Sequence, residues 1–331
     1  MKRLLALLSL ASFAVQADTH PQRSESFEIL DPAFSQVVDK NARLDILSND
    51  LEWGEGPVWS DQLNALLFSD IAVNKVYRWD ETQGLTDYLY PSGHPSLDPT
   101  QPWRGANGLA INSKGELLLA QQGTRTFSKM NAPLNKPTAS FELLADHYQD
   151  KKLNSPNDVV VHRSGDLYFT DPPYGLPKFE KDPGVELPFF GVFKLSTDGQ
   201  LTPVVKDLVK PNGIALSHDQ NTLYVSDSQP GVQTIYAYGL DEQGQVDSSR
   251  VFLDAKSLEK EGPGGADGMA VLKTEYLFVS IPNGLALVSP EGKMLGKIGI
   301  GQVTNMTLNG DQSQLFITTP KQLLRLGLKP E

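Results

Sequence analysis

The chain has 331 residues, enough for one large domain or two ordinary ones, and 39% of them are hydrophobic. Together with 28 Gly and 23 Pro, this composition is typical of a loop-rich globular protein and not of a disordered one. The formal net charge of −11 argues against nucleic acid as a partner, because an acidic surface repels a phosphate backbone. The chain contains no Cys, which excludes disulfides and a cysteine-linked lipid anchor.

Residues 1–17 have the features of a secretory signal peptide. Two basic residues and an apolar run over residues 4–15 precede the small-x-small cleavage sequence Val15-Gln16-Ala17. As a helix, this apolar run would rise only about 18 Å, too little to cross the hydrocarbon core of a bilayer. We therefore expect an exported protein, periplasmic in a Gram-negative bacterium, whose mature chain over residues 18–331 has no membrane span.

An internal repeat follows the leader. Each of its six segments begins with an acidic or amide residue, continues as a short apolar strand, turns, and ends in a second apolar strand. The segments begin at Glu55, Asn107, Asn157, Asn212, Asp267 and Asn305. Their spacing is close to the roughly 40–50 residues of a four-stranded propeller blade.

The repeat predicts an all-β fold, a six-bladed β-propeller that forms a single domain over residues 18–331. The stretch from Phe27 to Leu51 is expected to supply the strand that closes the last blade. A pair of β-sandwiches and a jelly roll are the rival folds. Neither predicts six hairpins in register that open with the same type of residue.

The residues that open the six segments should form a ring, because the first strand of each propeller blade lines the central axis. The ring would combine two carboxylates with four amides. Converging carboxylates repel one another and buried amides need partners, and a hard cation relieves both problems. Asn or Asp before Gly is also a common turn sequence. Turn formation does not explain why the first segment begins with Glu55, because Glu is a weak turn former. It also does not explain why Asn157 is followed by Asp158 and not by Gly.

One divalent cation is therefore predicted on the axis. Ca²⁺ is the first expectation because it takes six to eight oxygen ligands, and Mg²⁺, Mn²⁺ and Zn²⁺ are the alternatives. The ring contains no His and the chain no Cys, which disfavours ions that select imidazole or sulfur. Asn107, Asn157 and Asn305 are candidate contacts for a substrate, although Asn107 and Asn305 would also be consistent with completing turns.

Five motifs then stand in a fixed order along the chain. They are Gly54-Glu55-Gly56-Pro57-Val58-Trp59, Asn154-Ser155-Pro156-Asn157-Asp158, Tyr168-Phe169-Thr170-Asp171-Pro172-Pro173-Tyr174-Gly175, Pro211-Asn212-Gly213 and Asp267-Gly268-Met269. In sequence and order they resemble the gluconolactonase/regucalcin (senescence marker protein) family, from about Glu52 to Thr319. In the animal members of that family an Arg stands two residues before the position of Asn157, where this chain has Ser155.

The resemblance implies a metal-dependent lactonase that opens sugar lactones such as D-glucono-1,5-lactone to the aldonic acid. It implies the metal ligands Glu55, Asn157, Asn212 and Asp267, with Asp267 also as the catalytic base. The cation would polarise the lactone carbonyl, and Asp267 would deprotonate or orient the attacking water.

Two other function classes stay open at this stage. One is a related esterase or phosphotriesterase on the same scaffold, and the other is a non-catalytic propeller that binds calcium or another ligand, since a fold does not determine a function. A serine hydrolase is not indicated, because no G-x-S-x-G sequence occurs. The residues give no indication of an oligomeric state.

Several residues outside the ring also have predicted roles. The insert Pro172–Phe190 is a candidate lid over the site. The five histidines lack metal-ligand spacing. His162 and His218 are expected in exposed hairpin turns, while His94 is expected near the channel mouth. The acidic residues that follow the second strand in two blades are interpreted as turn formers: Asp171 and Asp227.

Overall fold

The computed structural model describes residues 22–23, 26–93 and 103–330, and most of these residues form β-strands. Six antiparallel sheets of four or five strands dominate the fold. The first strands of these sheets contact one another in a closed ring, so the protein is a six-bladed β-propeller, as the repeat predicts. The predicted signal peptide lies outside the described residues. Within the described ranges, no helix has the length and apolar character needed to cross a bilayer.

The elements before the first blade are β1 (Gln22–Arg23), β2 (Ser26–Ile29), α1 (Phe34–Val37) and β3 (Leu44–Ser48). The first two blades and a small ribbon that follows them contain β4 (Gly54–Ser60), β5 (Ala65–Asp70), β6 (Lys75–Asp80), β7 (Gly84–Leu89), β8 (Leu109–Ile111), β9 (Leu117–Gln121), β10 (Thr126–Met130), β11 (Phe141–Ala145), β12 (His147–Tyr148) and β13 (Lys151–Lys152). The third and fourth blades contain β14 (Val159–Val161), β15 (Leu167–Asp171), β16 (Phe190–Leu195), β17 (Leu201–Leu208), β18 (Pro211–Leu216), β19 (Thr222–Asp227), β20 (Thr234–Leu240) and β21 (Val246–Asp254). The last two blades contain β22 (Met269–Val271), β23 (Leu277–Ile281), β24 (Gly284–Val288), β25 (Met294–Gly299), β26 (Asn305–Leu308), β27 (Gln314–Thr318) and β28 (Leu323–Gly327). Two 3₁₀ turns lie at Phe179–Lys181 and Lys256–Glu261.

The start of the chain completes the last two blades. Strand β3 pairs antiparallel with β28 at the outside of the sixth blade, which confirms the closing strand expected between Phe27 and Leu51. Strand β2 pairs in the same way with β25 and adds a fifth strand to the fifth blade. The last repeat is the shortest because part of its blade comes from the beginning of the chain. Backbone hydrogen bonds thus join the two ends of the described chain.

The hydrophobic core lies between the blades. The buried apolar residues of the described chain form six clusters, and each cluster lies between two neighbouring blades. Between the first and sixth blades, the Phe316 ring stacks on Trp59 with centroids 5.6 Å apart and packs against Trp79 at 5.5 Å. The inner strands are covered on both faces, which explains why β5 and β9 are buried along their whole length.

Strand pairing corrects the repeat in the sixth blade. Leu109 in the second blade and Met306 in the sixth pair with equivalent residues of the neighbouring strand. Counting back two residues from each places Thr304, and not Asn305, at the position of Asn107. A shift of one residue along a strand turns the side chain to the opposite side, so Asn305 cannot face the same way as the other ring residues.

Candidate metal and substrate site

A cavity of about 420 Å³ opens at one end of the propeller axis. Five of the six predicted ring residues line this cavity: Glu55, Asn107, Asn157, Asn212 and Asp267. Asp267 is partly exposed and the other four are buried. They lie within the first strand of their blade or just before it and outside the hairpin turns, which argues against the turn interpretation of Asn107.

Asn305 has a different environment. Its Nδ2 donates a hydrogen bond of 3.0 Å to Oδ2 of Asp158, and both residues line a second cavity at the other end of the first strands. Thr304, which takes the ring position, donates its hydroxyl to the carbonyl oxygen of Gly54 at 2.6 Å and so joins the sixth blade to the first. The structure therefore does not bring Asn305 to the ring cavity.

Close approach of the inner strands explains why Gly follows several ring residues. Gly56 has a φ of +48°, and a Cβ there would lie 2.1 Å from the carbonyl oxygen of Asn107. A Cβ on Gly268 would lie 2.1 Å from Oδ1 of Asn305. No larger residue fits at these distances. The Glu-Gly and Asp-Gly sequences thus belong to the packing at the axis.

Neighbouring side chains set the direction of the ring amides. Nδ2 of Asn107 donates to Oε1 of Gln122 at 3.0 Å, and Nδ2 of Asn157 donates to the same oxygen at 3.4 Å. Nδ2 of Asn212 donates to the hydroxyl of Ser228 at 2.9 Å. Because the NH₂ groups point to these partners, the amide oxygens point elsewhere. Oδ1 of Asn107 is buried and has no hydrogen-bond partner among the described residues.

The axis concentrates negative charge. Desolvation, aided by the charge of Asp158, raises the pKa of the Glu55 carboxyl. Desolvation, together with the charges of Glu55 and Asp158, raises the pKa of Asp267 well above its usual range. Lys210 is the one cationic side chain among the described residues that line the cavity, and its Nζ lies 3.7 Å from Glu180. The protein alone therefore leaves the repulsion between Glu55 and Asp267 largely uncompensated.

These features fit a hard divalent cation. The cavity presents two carboxylates, amide oxygens turned away from their own hydrogen-bonded NH₂ groups, and a buried acceptor without a partner. Ca²⁺ and Mg²⁺ prefer oxygen ligands of this kind. Over the described ranges, no three or more His, Cys, Asp or Glu side chains form a group that could hold an ion, so amides would have to complete the ligand set.

Aromatic and apolar side chains form the outer walls of the cavity. Trp53 and Trp103 pack edge to face with ring centroids 5.0 Å apart. The insert Pro172–Phe190 contributes Tyr174 and Phe179. One wall of the cavity is therefore built by the insert that the sequence singles out.

Ser155 anchors this insert. Its hydroxyl donates to the carbonyl oxygen of Pro172 at 2.5 Å and accepts from the backbone N–H of Gly175 at 2.9 Å. The side chain is fully buried. The Ser155 side chain therefore holds the first residues of the insert, from Pro172 to Gly175, in place.

The turn interpretation of Asp171 is wrong, and for Asp227 it covers only part of its role, since Oδ1 of Asp227 also accepts the backbone N–H of Gln229, two residues later, at 3.1 Å. Both are buried at the end of a second strand, and each carboxylate accepts two backbone N–H groups from the segment that leads into the ring strand of its own blade. Asp171 binds Asn154 and Ser155 at 2.8 and 2.7 Å. Asp227 binds Val209 and Lys210 at 2.8 and 2.9 Å. Each thereby fixes the residue two positions before a ring amide.

The described histidines do not line the cavity: His147, His162 and His218. His162 and His218 follow the first strands of their blades, as predicted; His218 is exposed as expected, whereas His162 is half-buried. His94 lies outside the described residues. The ring cavity thus offers oxygen ligands and no described imidazole.

Sequence reasoning did not identify Gln122 and Ser228. Each comes directly after the second strand of its blade, at equivalent positions of the repeat, and each accepts a hydrogen bond from the ring amide of the same blade. A polar residue directly after the second strand of a blade is the sequence feature that would have identified Gln122 and Ser228.

Comparisons with known proteins agree with the fold. The family model described as SMP-30/Gluconolactonase/LRE-like region matches residues 53–321. A gluconolactonase of Zymomonas mobilis is 36% identical over 306 residues, which cover 90% of this chain and 85% of the relative. A pentonolactonase of Haloferax volcanii is 25% identical and covers 86% of this chain and 84% of its own length.

Among solved structures, a gluconolactonase of Xanthomonas campestris superposes with a TM-score of 0.80 at 30% identity. The match covers 94% of this chain and 97% of that one. The similarity therefore extends over the whole propeller, and the chain belongs to the SMP-30/gluconolactonase/LRE-like family.

Proposed function

We propose that this chain is a divalent-metal-dependent lactonase that opens sugar lactones such as D-glucono-1,5-lactone to the aldonic acid. The observation that carries the proposal is the cavity itself, where Glu55 and Asp267, both with raised pKa values, lie with amides whose NH₂ groups are turned away. The names of the gluconolactonase and pentonolactonase relatives support the same reaction class.

Glu55, Asn157, Asn212 and Asp267 would hold the cation, with Ca²⁺ as the first candidate and Mg²⁺, Mn²⁺ or Zn²⁺ as alternatives. These side chains supply oxygen atoms only, which matches the preference of calcium. When bound, the ion would supply positive charge that polarises the lactone carbonyl and offsets the repulsion between the two carboxylates. Because Ca²⁺ takes six to eight oxygen ligands, an ion held by these four residues would still be able to bind water and substrate.

Asp267 acts as the base in the proposed reaction. Its carboxylate accepts a proton from a water molecule as the water oxygen bonds to the carbonyl carbon of the lactone. The ring C–O bond then breaks, and the proton held by Asp267 passes to the departing ring oxygen, which becomes a hydroxyl of the aldonic acid. Aldonolactones are reactive esters, so a base of modest strength at this position is sufficient.

Asn107 and the cavity walls would bind the rest of the substrate. Oδ1 of Asn107 is a buried acceptor without a described partner, and a hydroxyl of a sugar lactone is a suitable donor. Trp53, Trp103 and Phe179 offer apolar faces to the C–H groups of a sugar ring. The polar groups at the base of the cavity could bind the hydroxyls of a sugar lactone, while the aromatic side chains of the outer walls contact its C–H groups.

We also propose that residues 1–17 direct export and are removed, with the mature chain active in the periplasm. The basic and apolar segments of the leader and its small-x-small sequence support this assignment. N-terminal sequencing of the protein purified from its native host should begin at Asp18. An intact leader on the mature protein would contradict export by cleavage.

A substrate panel tests the proposed function. D-Glucono-1,5-lactone, a pentonolactone, an aryl ester and an organophosphate are each assayed with metal-replete and chelator-treated protein. We expect turnover of the sugar lactones above their spontaneous hydrolysis, and loss of that turnover with chelator. Faster turnover of the aryl ester or organophosphate would favour a related esterase, and no turnover of any substrate would favour a binding propeller.

A further inference from the structure

Gln122 lies between two ring amides and binds both of them. Its side chain is 1% exposed. Oε1 accepts Nδ2 of Asn107 at 3.0 Å and Nδ2 of Asn157 at 3.4 Å. A carbonyl oxygen has two lone pairs, so these two bonds use its full capacity as an acceptor.

These bonds determine which way each amide faces. A side-chain amide has its oxygen on one side and its NH₂ group on the other, and the terminal torsion that exchanges them is broad and roughly two-fold. Because both NH₂ groups are bound to Gln122, both oxygens turn away from it. Oδ1 of Asn107 remains buried without a partner among the described residues, an unfavourable arrangement that a ligand donating to this oxygen would relieve.

The fourth blade repeats the arrangement with a different residue. Ser228, at the repeat position equivalent to Gln122, donates its hydroxyl proton to the carbonyl oxygen of Ala266 at 2.7 Å. Its oxygen can therefore only accept, and it accepts Nδ2 of Asn212 at 2.9 Å. The Asn212 amide is thus oriented in the same way, by an acceptor that binds its NH₂ group. In two blades, the residue directly after the second strand accepts a hydrogen bond from the ring amide.

We infer that Gln122 is a positioning residue that keeps the oxygens of Asn107 and Asn157 available to ligands. Through Asn157 it prepares a cation ligand, and through Asn107 it prepares an acceptor for a lactone hydroxyl. The inference rests on the proposed function for the identity of these ligands. The orientation itself depends only on the hydrogen bonds of the protein.

The test compares Gln122→Met, which removes the acceptor, with Gln122→Glu, which keeps it. Ca²⁺ is titrated into metal-depleted protein by calorimetry. We expect Gln122→Met to weaken Ca²⁺ binding by about 10–100-fold, the usual effect of losing a partner that orients a metal ligand. Gln122→Glu should bind Ca²⁺ at least as tightly as the wild type. Equal affinity of wild type and Gln122→Met would overturn the inference.

A double variant separates orientation from general damage. In Asn157→Asp both side-chain oxygens accept, so the residue no longer needs to be oriented. Adding Gln122→Met to Asn157→Asp should change Ca²⁺ affinity by less than about threefold, because the coupled pair is non-additive. The same loss in both backgrounds would mean that Gln122 acts only through the fold. Gln122→Leu replaces Gln122→Met if the latter does not fold.

A third measurement keeps the inference distinct from the proposed function. If the wild type binds no divalent cation, the proposed function fails, and the orientation is then read in metal-free protein. The side-chain amide NMR signals of Asn107 and Asn157 should shift in Gln122→Met, because their NH₂ groups lose the acceptor. Unchanged signals would overturn the inference independently of any metal.

Discussion

Oδ2 of Asp158 accepts a hydrogen bond of 3.0 Å from Nδ2 of Asn305, so a pair of side chains joins the third and sixth blades across the propeller axis. Asp158 also raises the pKa of both Glu55 and Asp267 through its charge. The carboxylate that ties opposite blades together thus also makes the ring more negative. Asp158, which directly follows the ring residue Asn157, therefore has both a structural and an electrostatic role.

The burial of Asp158 predicts that the unfolding free energy of the protein depends on pH. Burial raises the pKa of Asp158 to about 6 from its usual 3.8, so the folded state favours the protonated form. This contribution to stability is fully present below pH 3.8 and is lost as the pH rises through 6. Relative to Asp158→Asn, metal-free wild type should lose about 3 kcal/mol of unfolding free energy across that interval.

Denaturant unfolding at several pH values between 3.5 and 7 measures the difference directly, with Leu143→Ala, at an exposed residue that does not titrate, as the control. The difference between wild type and the control should stay constant with pH. A constant difference for Asp158→Asn as well would contradict the raised pKa.

Asp267→Ala should abolish the proposed catalysis. We expect kcat to fall by about 10²–10⁴-fold, the range over which a positioned acid or base contributes. Metal content is measured on the same samples, because Asp267 is also a proposed ligand. A folded variant that retains full lactonase activity would rule out the assigned role, whether or not it still binds metal.

Phe179→Gly should weaken substrate binding without destabilising the fold. Phe179 lines the cavity with a φ of +50°, in the left-handed region that Gly adopts without strain, and it is 43% exposed. We expect KM for gluconolactone to rise about tenfold, equivalent to about 1.4 kcal/mol of lost contact, with kcat little changed. The melting temperature should stay equal or rise.

Leu143→Ala, at an exposed leucine outside the cavity, is the matched control and should leave KM unchanged. A fall in melting temperature for Phe179→Gly would show that the insert needs this ring for stability. An unaltered KM would exclude Phe179 from substrate binding.

Phe316→Ala should loosen the junction between the first and sixth blades. The ring is fully buried and packs against Trp59 and Trp79, so its removal leaves a cavity at the closure of the propeller. We expect a loss of about 3–5 kcal/mol of unfolding free energy, measured by denaturant unfolding. A loss below about 1 kcal/mol would mean that this interface contributes little to closure.

The sequence predicts the architecture well because the length and number of the repeats can be read directly from it. Six hairpins with equivalent opening residues define six blades, and the ring position follows from the strand that lines the axis. The one error in the ring arose where the repeat is weakest. In the sixth blade an Asn follows the ring position occupied by Thr304, and an alignment by residue type selects Asn305 in place of the residue that pairing selects.

Other features depended on contacts that no local pattern reveals. Gln122 binds Asn157 from 35 positions away in the chain, so neither residue predicts the other. Asp171 ends a strand and precedes two prolines, a sequence that is typical of a turn, yet its carboxylate is buried against backbone N–H groups 16 and 17 residues earlier. Burial and direction of a polar side chain are set by packing, and packing appears only in three dimensions.

Gluconolactone hydrolysis and Ca²⁺ binding, measured together in metal-depleted wild type and in Glu55→Gln, test the proposed metal-dependent lactonase activity most directly. Glu55→Gln keeps the size of the side chain and removes its charge. We predict that Ca²⁺ restores turnover in the wild type over the same concentrations at which it binds. Glu55→Gln should bind Ca²⁺ at least tenfold more weakly, with the Ca²⁺ dependence of turnover shifted in parallel. Full turnover by metal-free wild type, or turnover in Glu55→Gln that is independent of its Ca²⁺ occupancy, would contradict the central claim.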